Sequence, residues 1–143
     1  GDDLVVPSAG NPANALSQLI RAHEKTSSSI IALEEIQIEK SSSYGIIKPK
    51  DTSTPPLYEI EGLVEKPAPL ASPSNLGIIG KYIVTPEIFA ALHKAEKSVG
   101  GEIRLIDGFN QLIKTQPIYG LTVEGTRFDT GTLDGYKKAI LEI

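Results

Sequence analysis

The stretch Leu-Val-Glu-Lys-Pro at positions 63–67 places one acid and one base between an apolar strand end and a proline. Proline has no backbone N–H to donate to a neighbouring strand, so Pro67 predicts that the strand ends here. The Glu65 carboxylate can accept hydrogen bonds from sugar hydroxyls, and the Lys66 ammonium can bind a phosphate. Adjacent strand side chains diverge, so both reach one ligand only if the strand ends or twists here. Taken alone, this short motif is more typical of an exposed strand end.

The residues before this motif predict a β-hairpin. Positions 57–65 alternate in polarity, and positions 44–47 form a second short apolar stretch. A charged, proline-rich segment at 48–56 separates the two and predicts the hairpin loop. Gly45 lies inside the first strand, where glycine indicates either a bulge or a place where a ligand comes close.

The rest of the chain alternates predicted strands with predicted helices. Strands are predicted at 29–33, 76–84 and 118–124, and helices at 14–25, from Thr85 onward, up to about Lys114, and at 134–143. Asn14 is expected to cap the first helix, and Glu102 and Asp107 to cap the third. Three helices have predicted inward faces, made of Leu16, Leu19, Ile20 and His23 in the first, of Ile88, Leu92 and Ala95 in the second, and of Tyr136, Ala139 and Ile140 in the last.

Three polar residues lie where α/β proteins place ligand contacts. Asp2 stands at a predicted strand, where acids bind ligands in this class, although a solvated terminus is the simpler interpretation. Asp129 stands in a turn between an aromatic residue and a glycine. Asn75 immediately precedes a strongly apolar strand, and its side chain can hydrogen-bond either a ligand or its own loop.

The composition excludes several classes of function. The chain has 143 residues, 40% of them hydrophobic, no cysteine and a net charge of −4. The missing cysteines rule out disulfides, zinc–thiolate sites and cysteine nucleophiles within this sequence. The scattered basic residues argue against nucleic acid as the main partner, and no apolar run suits a membrane span. We therefore expect a cytoplasmic protein.

Together, these segments resemble the second half of the sugar nucleotidyltransferases, and within them the bacterial UTP–glucose-1-phosphate uridylyltransferases. The similar stretches follow the family's order and spacing and cover nearly the whole chain. They are residues 1–4, 43–47, 64–67, 73–86 and 100–103 with Leu105 and Asp107, and 128–131.

The resemblance implies a role for each of five residues. Asp2 and Asp129 would hold a magnesium ion. Gly45 would contact the sugar through its backbone, and Glu65 would accept hydrogen bonds from the sugar hydroxyls. Lys66 would bind the phosphate of glucose 1-phosphate. The implied substrates are UTP and glucose 1-phosphate, and the implied products are UDP-glucose and pyrophosphate.

The resemblance implies weaker roles for three more residues, and it also implies the fold. Asn75 would bind substrate, and Glu102 and Asp107 match family positions near the site. The expected fold is α/β, with a mixed sheet flanked by helices, as part of the Rossmann-like nucleotide-diphospho-sugar transferase fold. Residues 1–143 would form a single sugar-phosphate- and metal-binding portion of that domain.

One family feature is missing from this sequence, namely the glycine-rich loop that binds the triphosphate. Neither Gly77 with Gly80 nor Gly100 with Gly101 has its spacing. We therefore expect a part of a longer, homo-oligomeric enzyme that releases no pyrophosphate by itself. Two alternatives stay open: a related nucleotidyltransferase that uses dTTP, CTP or GTP, and a non-catalytic sugar-phosphate-binding module.

Overall fold

The computed structural model describes residues 3–10, 12–95 and 101–142, and within these ranges it contains seven strands and four α-helices. The strands are β1 Asp3–Val6, β2 Ile30–Glu35, β3 Gly45–Pro49, β4 Leu57–Glu65, β5 Leu76–Ile83, β6 Tyr119–Thr122 and β7 Thr126–Asp129. The helices are α1 Ala15–Thr26, α2 Glu87–Lys94, α3 Leu105–Leu112 and α4 Leu133–Glu142. Within these residues, no helix combines the length and the apolar character needed to cross a bilayer.

Five strands close into a barrel in the order β2-β5-β3-β4-β6. β2 and β6 run parallel, whereas the other pairs in the barrel run antiparallel. The prediction of a mixed α/β architecture is confirmed, although the strands form a closed barrel instead of an open sheet. Each strand of the barrel therefore has a neighbour on both sides, and the two remaining strands form a separate two-stranded ribbon.

That ribbon pairs β1 with β7, which come from opposite ends of the chain. Asp3 stands opposite Asp129, and Val6 stands opposite Thr126. The ribbon lies against the barrel, where the Lys81 ammonium of β5 donates to the Asp3 carbonyl at 2.6 Å. The fold therefore brings the two acid-bearing ends of the sequence together.

The predicted hairpin is confirmed as β3 and β4. Gly45 stands opposite Glu65, and Ile46 stands opposite Val64. The Asn110 side chain of α3 fixes this hairpin from outside. Its amide donates to the Leu63 carbonyl at 2.9 Å, and its oxygen accepts from the Leu63 N–H at 3.0 Å.

The core lies on both sides of the barrel wall. The larger cluster joins the hairpin to α2 and α3 and is centred on Ile47, Ile88 and Phe109. The smaller cluster packs α1 against β2 and β5 through Leu19, Ile30 and Ile79. Apolar side chains buried in this way supply the main favourable term in folding.

The N-cap predicted for α1 is confirmed, and the predicted inward face is right only in part, since Leu19 is buried and His23 half-buried. The Asn14 side chain accepts from the Ser17 N–H at 2.9 Å. The buried residues are Ala15, Gln18, Leu19 and Ala22, whereas Leu16 and Ile20 are 52% and 41% exposed. The helix is rotated because the Gln18 side chain is buried and fully bonded, donating to the carbonyls of Ala13 and Glu124 and accepting from the Glu124 N–H.

The inward face predicted for α4 is largely wrong. Ala139 is buried, but Tyr136 and Ile140 are exposed. The helix packs on β7 near its own beginning, where Gly135 lies so close to the Asp129 carbonyl that a Cβ atom would overlap it. Apart from Ala139, most of the apolar stripe therefore remains in solvent.

Candidate active site

A cavity of about 490 Å³ opens where the β3–β4 hairpin ends. It contains Gly45, Glu65 and Lys66, three of the residues predicted to bind substrate. Its full lining is Asp3, Ser43, Tyr44, Gly45, Glu65, Lys66, Ile78, Gly80, Tyr82, Arg104, Leu105 and Ile106. The walls are therefore the hairpin end, one face of β5, the beginning of α3 and the beginning of β1.

Gly45 and Glu65 meet in this cavity because they are register partners across the hairpin. A Cβ atom on Gly45 would lie 3.4 Å from Glu65 Oε2 and 3.2 Å from the Ile78 side chain. A side chain at this position would therefore crowd the carboxylate and fill the space above the backbone. The absence of one leaves the Gly45 main chain open to a ligand.

Lys66 reaches the same cavity because the backbone turns sharply after Glu65. Its φ is +47°, in the left-handed region that non-glycine residues rarely adopt. The Lys66 N–H donates to the Tyr44 carbonyl at 2.9 Å, and the next carbonyl, of Pro67, accepts from the buried Ser41 hydroxyl at 2.9 Å. This turn lets Glu65 and Lys66, which are adjacent in the sequence, both face the cavity, as the sequence analysis required for binding one ligand.

Sequence reasoning missed Tyr82 as a cavity residue, although a signal was present. Ile78, Gly80 and Tyr82 occupy alternate positions of β5 and therefore share one face, which is the face that lines the cavity. Burial raises the pKa of the Tyr82 hydroxyl, and the negative charges of Glu65 and Asp3 raise it further. The phenol is thus held neutral between two carboxylates.

Arg104 is a second cation in the cavity that the sequence did not single out. Its Nη1 lies 3.9 Å from Glu65 Oε1, and both side chains are partly exposed, so the pair is weak. The residue is held at the start of α3 because its N–H donates to Asp107 Oδ2 at 2.8 Å. That bond confirms the capping role predicted for Asp107.

One of the two predicted metal ligands, Asp129, lies in the ribbon opposite the cavity residue Asp3. Asp129 is exposed at the end of β7, and its Oδ1 accepts from the Gly131 N–H at 3.1 Å. Asp129 is not part of the cavity lining, but its register partner Asp3 is. Asp2 lies outside the described residues.

The Asp129 carboxylate is a donor of the type that Mg²⁺ accepts. Mg²⁺ prefers carboxylate oxygens and retains several waters, so it needs only one or two protein carboxylates. Asp129 offers such a carboxylate, whereas the Asp3 carboxylate is bound by Arg127 at 2.6 Å. Within residues 3–10, 12–95 and 101–142, no group of three or more acids or histidines is arranged to hold a metal ion.

Asn75 is not brought into the cavity. Its side chain is exposed, and its carbonyl accepts from the Ile36 N–H at 2.9 Å at the start of β5. Its assignment as a substrate-binding residue stays a prediction. A larger cavity, of about 650 Å³, lies at the far end of the hairpin around Lys50 and Lys114 and contains none of the predicted residues.

Residues 2–143 match the family model described as nucleotidyl transferase, and the chain belongs to that family. It is 39% identical over 142 residues to the UTP–glucose-1-phosphate uridylyltransferase 2 of Streptococcus pyogenes serotype M3. It is 38% identical to the UTP–glucose-1-phosphate uridylyltransferase of Streptococcus pneumoniae serotype 4. Each match covers 99% of this chain and 48% of the relative.

Solved structures give the same result. A UDP-glucose pyrophosphorylase complexed with UDP-glucose superposes with a TM-score of 0.88 at 35% identity, covering 99% of this chain and 52% of that one. The UTP-bound enzyme from Acinetobacter baumannii superposes with a TM-score of 0.84 at 30% identity, covering 99% and 47%. The chain therefore spans about half the length of the relatives it matches.

Proposed function

We propose that this chain is the glucose-1-phosphate- and magnesium-binding portion of a UTP–glucose-1-phosphate uridylyltransferase. The parent enzyme would convert UTP and glucose 1-phosphate into UDP-glucose and pyrophosphate. The observation that carries the proposal is the meeting of Gly45, Glu65 and Lys66 in one cavity of about 490 Å³. An open main chain, a hydroxyl acceptor and a phosphate-binding cation are the groups that a sugar phosphate requires.

Each residue has a distinct part in this proposal. Lys66 binds the phosphate of glucose 1-phosphate, and Glu65 accepts hydrogen bonds from the sugar hydroxyls. Gly45 lets the sugar approach the backbone. Asp2 and Asp129 hold Mg²⁺ through carboxylate oxygens.

The chemistry is the attack of a sugar-phosphate oxygen on the α-phosphate of UTP, with pyrophosphate as the leaving group. The main obstacle is repulsion between two anionic phosphates. Lys66 reduces this repulsion and fixes the attacking oxygen, and the bound metal supplies further positive charge. The rest of the acceleration comes from orientation, since no covalent intermediate is needed.

Calorimetric titration of glucose 1-phosphate into the purified chain tests the proposal. We expect saturable binding that Lys66→Ala weakens by about 10- to 100-fold, the usual value of a charge-assisted hydrogen bond. The matched control is Lys48→Ala, which removes an exposed lysine of the same hairpin that pairs with Glu61. No binding by the wild-type chain, or equal loss in both variants, would contradict the proposal.

The same titration separates the related functions. Binding of glucose 1-phosphate in preference to galactose, mannose and glucosamine 1-phosphates would support the uridylyltransferase. A preference for another sugar phosphate would favour a different nucleotidyltransferase of this fold. The base of the nucleotide is tested on the parent enzyme, by supplying UTP, dTTP, CTP and GTP in turn.

We further infer that the protein is cytoplasmic and forms homo-oligomers. Exposed apolar side chains follow α4, namely Leu133, Tyr136, Ile140 and Leu141. A contiguous apolar stripe of this kind is typical of protein contacts. Light scattering should give a mass above that of the monomer, and Leu141→Asp should lower it. A monodisperse monomer at high concentration would argue against self-association through this face.

A further inference from the structure

Arg127 contacts three other side chains, although neither the sequence nor the proposed function gives it a role. It lies on β7, two positions before Asp129, and its side chain is only 16% exposed. Its Nε donates to Asp3 Oδ1 at 2.7 Å, and its Nη1 donates to the Tyr44 hydroxyl at 2.8 Å and to Glu34 Oε2 at 3.2 Å. Its guanidinium carbon also lies 5.3 Å from the centre of the Tyr44 ring.

These contacts join two parts of the site that are separate in the sequence. On one side, Arg127 and Asp129 share a face of β7 because they are two residues apart, and Asp3 is the register partner of Asp129. On the other side, Tyr44 directly precedes Gly45, and its carbonyl accepts the N–H of Lys66. The Arg127 guanidinium therefore connects β7, which carries the proposed metal ligand Asp129, to the turn that orients the Lys66 side chain.

The turn needs such support because its backbone is strained. Lys66 has a φ of +47°, and a left-handed lysine persists only where its surroundings hold it. The bond from Lys66 N–H to Tyr44 O is one restraint, and Arg127 in turn fixes Tyr44 at both its hydroxyl and its ring. Loss of either Arg127 contact should loosen Tyr44 and then the turn.

The charge of Arg127 is constant across the physiological range. Burial would lower the pKa of its guanidinium, but the hydrogen bond to Tyr44 and the negative charge of Asp3 raise it overall. A permanently charged, planar guanidinium with several hydrogen-bond partners holds those partners in fixed positions. Its net effect on the free energy of unfolding is small, because desolvation opposes the electrostatic attraction.

We propose that Arg127, acting through Tyr44, is a positioning residue that couples the magnesium end of the site to the phosphate-binding turn at Lys66. This inference takes its two ligands, Mg²⁺ and glucose 1-phosphate, from the proposed function. It predicts that bound Mg²⁺ tightens the binding of glucose 1-phosphate, and that this coupling depends on the Arg127–Tyr44 contact.

Two variants of the chain test the proposal. Tyr44→Phe removes the hydroxyl that binds Arg127 and keeps the ring, whereas Arg127→Lys keeps the charge and removes the fork. Tyr58→Phe is the matched control, because Tyr58 is a buried tyrosine of β4 that does not line the cavity.

The first readout is amide hydrogen exchange by NMR and needs no ligand. We expect the Lys66 amide to exchange about tenfold faster in Tyr44→Phe and Arg127→Lys, as for loss of one restraining hydrogen bond. The Leu63 amide, which donates to Asn110, should keep its rate. Equal acceleration at both amides would indicate general destabilisation and overturn the proposal, as would an unchanged Lys66 rate.

The second readout is the ratio of the dissociation constants for glucose 1-phosphate without and with Mg²⁺. The ratio should exceed one in the wild type and in Tyr58→Phe, and fall toward one in the two test variants. A wild-type ratio of one, or an unchanged ratio in the variants, would overturn the coupling. Failure of the wild type to bind the sugar phosphate at all would reject the proposed function, and the exchange rates would still decide the positioning of the turn.

Discussion

The β3–β4 hairpin and the β1–β7 ribbon both carry residues of the candidate site, but they span very different lengths of chain. Gly45 and Glu65 pair across 20 positions (65 minus 45), whereas Asp3 and Asp129 pair across 126 (129 minus 3). By the loop-closure relation, the longer separation costs roughly 1.5 kcal/mol more in chain entropy. The pairing in the hairpin is local in sequence, whereas the ribbon depends on the fold between its strands and on side chains such as Arg127 that anchor it.

The largest effect on this comparison is expected from Gly135→Ala, which acts on the ribbon. The new Cβ would overlap the Asp129 carbonyl, so α4 or β7 must move. We expect a loss of about 3 kcal/mol in the free energy of unfolding, as for overpacking at a rigid contact. Urea denaturation measures it.

Gly10→Ala is the control, since no atom lies within 4 Å of a Cβ added there. If Gly135→Ala were as stable as this control, α4 would not be docked on β7 as described.

The next effect concerns the hairpin. Asn110→Ala removes both hydrogen bonds to the backbone of Leu63 and leaves its N–H and C=O without those partners. We expect a loss of about 2 kcal/mol in the free energy of unfolding. Gln111→Ala, which removes a half-buried neighbour bonded to Lys114, should cost much less. Equal losses would mean that the Asn110 bonds do not hold the hairpin.

A smaller effect is expected on ligand affinity, where the hairpin and the ribbon should each affect a different ligand. With each ligand titrated in the absence of the other, Glu65→Gln should weaken glucose 1-phosphate binding by about tenfold and leave Mn²⁺ binding, used as a probe for Mg²⁺, unchanged. Asp129→Asn should do the reverse, because an amide is a poorer ligand for a hard cation. Calorimetry and Mn²⁺ paramagnetic resonance measure the two affinities. Loss of both ligands in either variant would mean that the regions do not act separately.

The smallest effect is a pH dependence at the outer end of the hairpin. The hydrogen bond from Lys48, at 2.6 Å, and the charge of that lysine lower the pKa of the Glu61 carboxyl below its ordinary value of 4.5. A lowered folded-state pKa means that the contribution to stability is present above pH 4.5 and is lost as the pH falls through the folded value. Since the pair is exposed, Glu61→Gln should change the urea midpoint only slightly at pH 7, and the change should shrink as the pH falls below 4.5.

The features that could be predicted from the sequence depend on local signals. The hairpin, the Asn14 cap and the Asp107 cap follow from residue types within a few positions of one another. The inward faces of α1 and α4 could not be predicted correctly, because a buried Gln18 and a close approach at Gly135 orient those helices and neither is visible as hydrophobic periodicity. Barrel closure and the contacts of Arg127 depend on pairings between distant segments, so no local pattern encodes them.

The left-handed backbone at Lys66 sets a trade-off between stability and binding. Replacement of Lys66 by asparagine, which tolerates this conformation better, should relieve strain and make the chain somewhat more stable, while it removes the cation proposed to bind phosphate. A residue that serves the fold less well than an available substitute is typical of a position selected for activity.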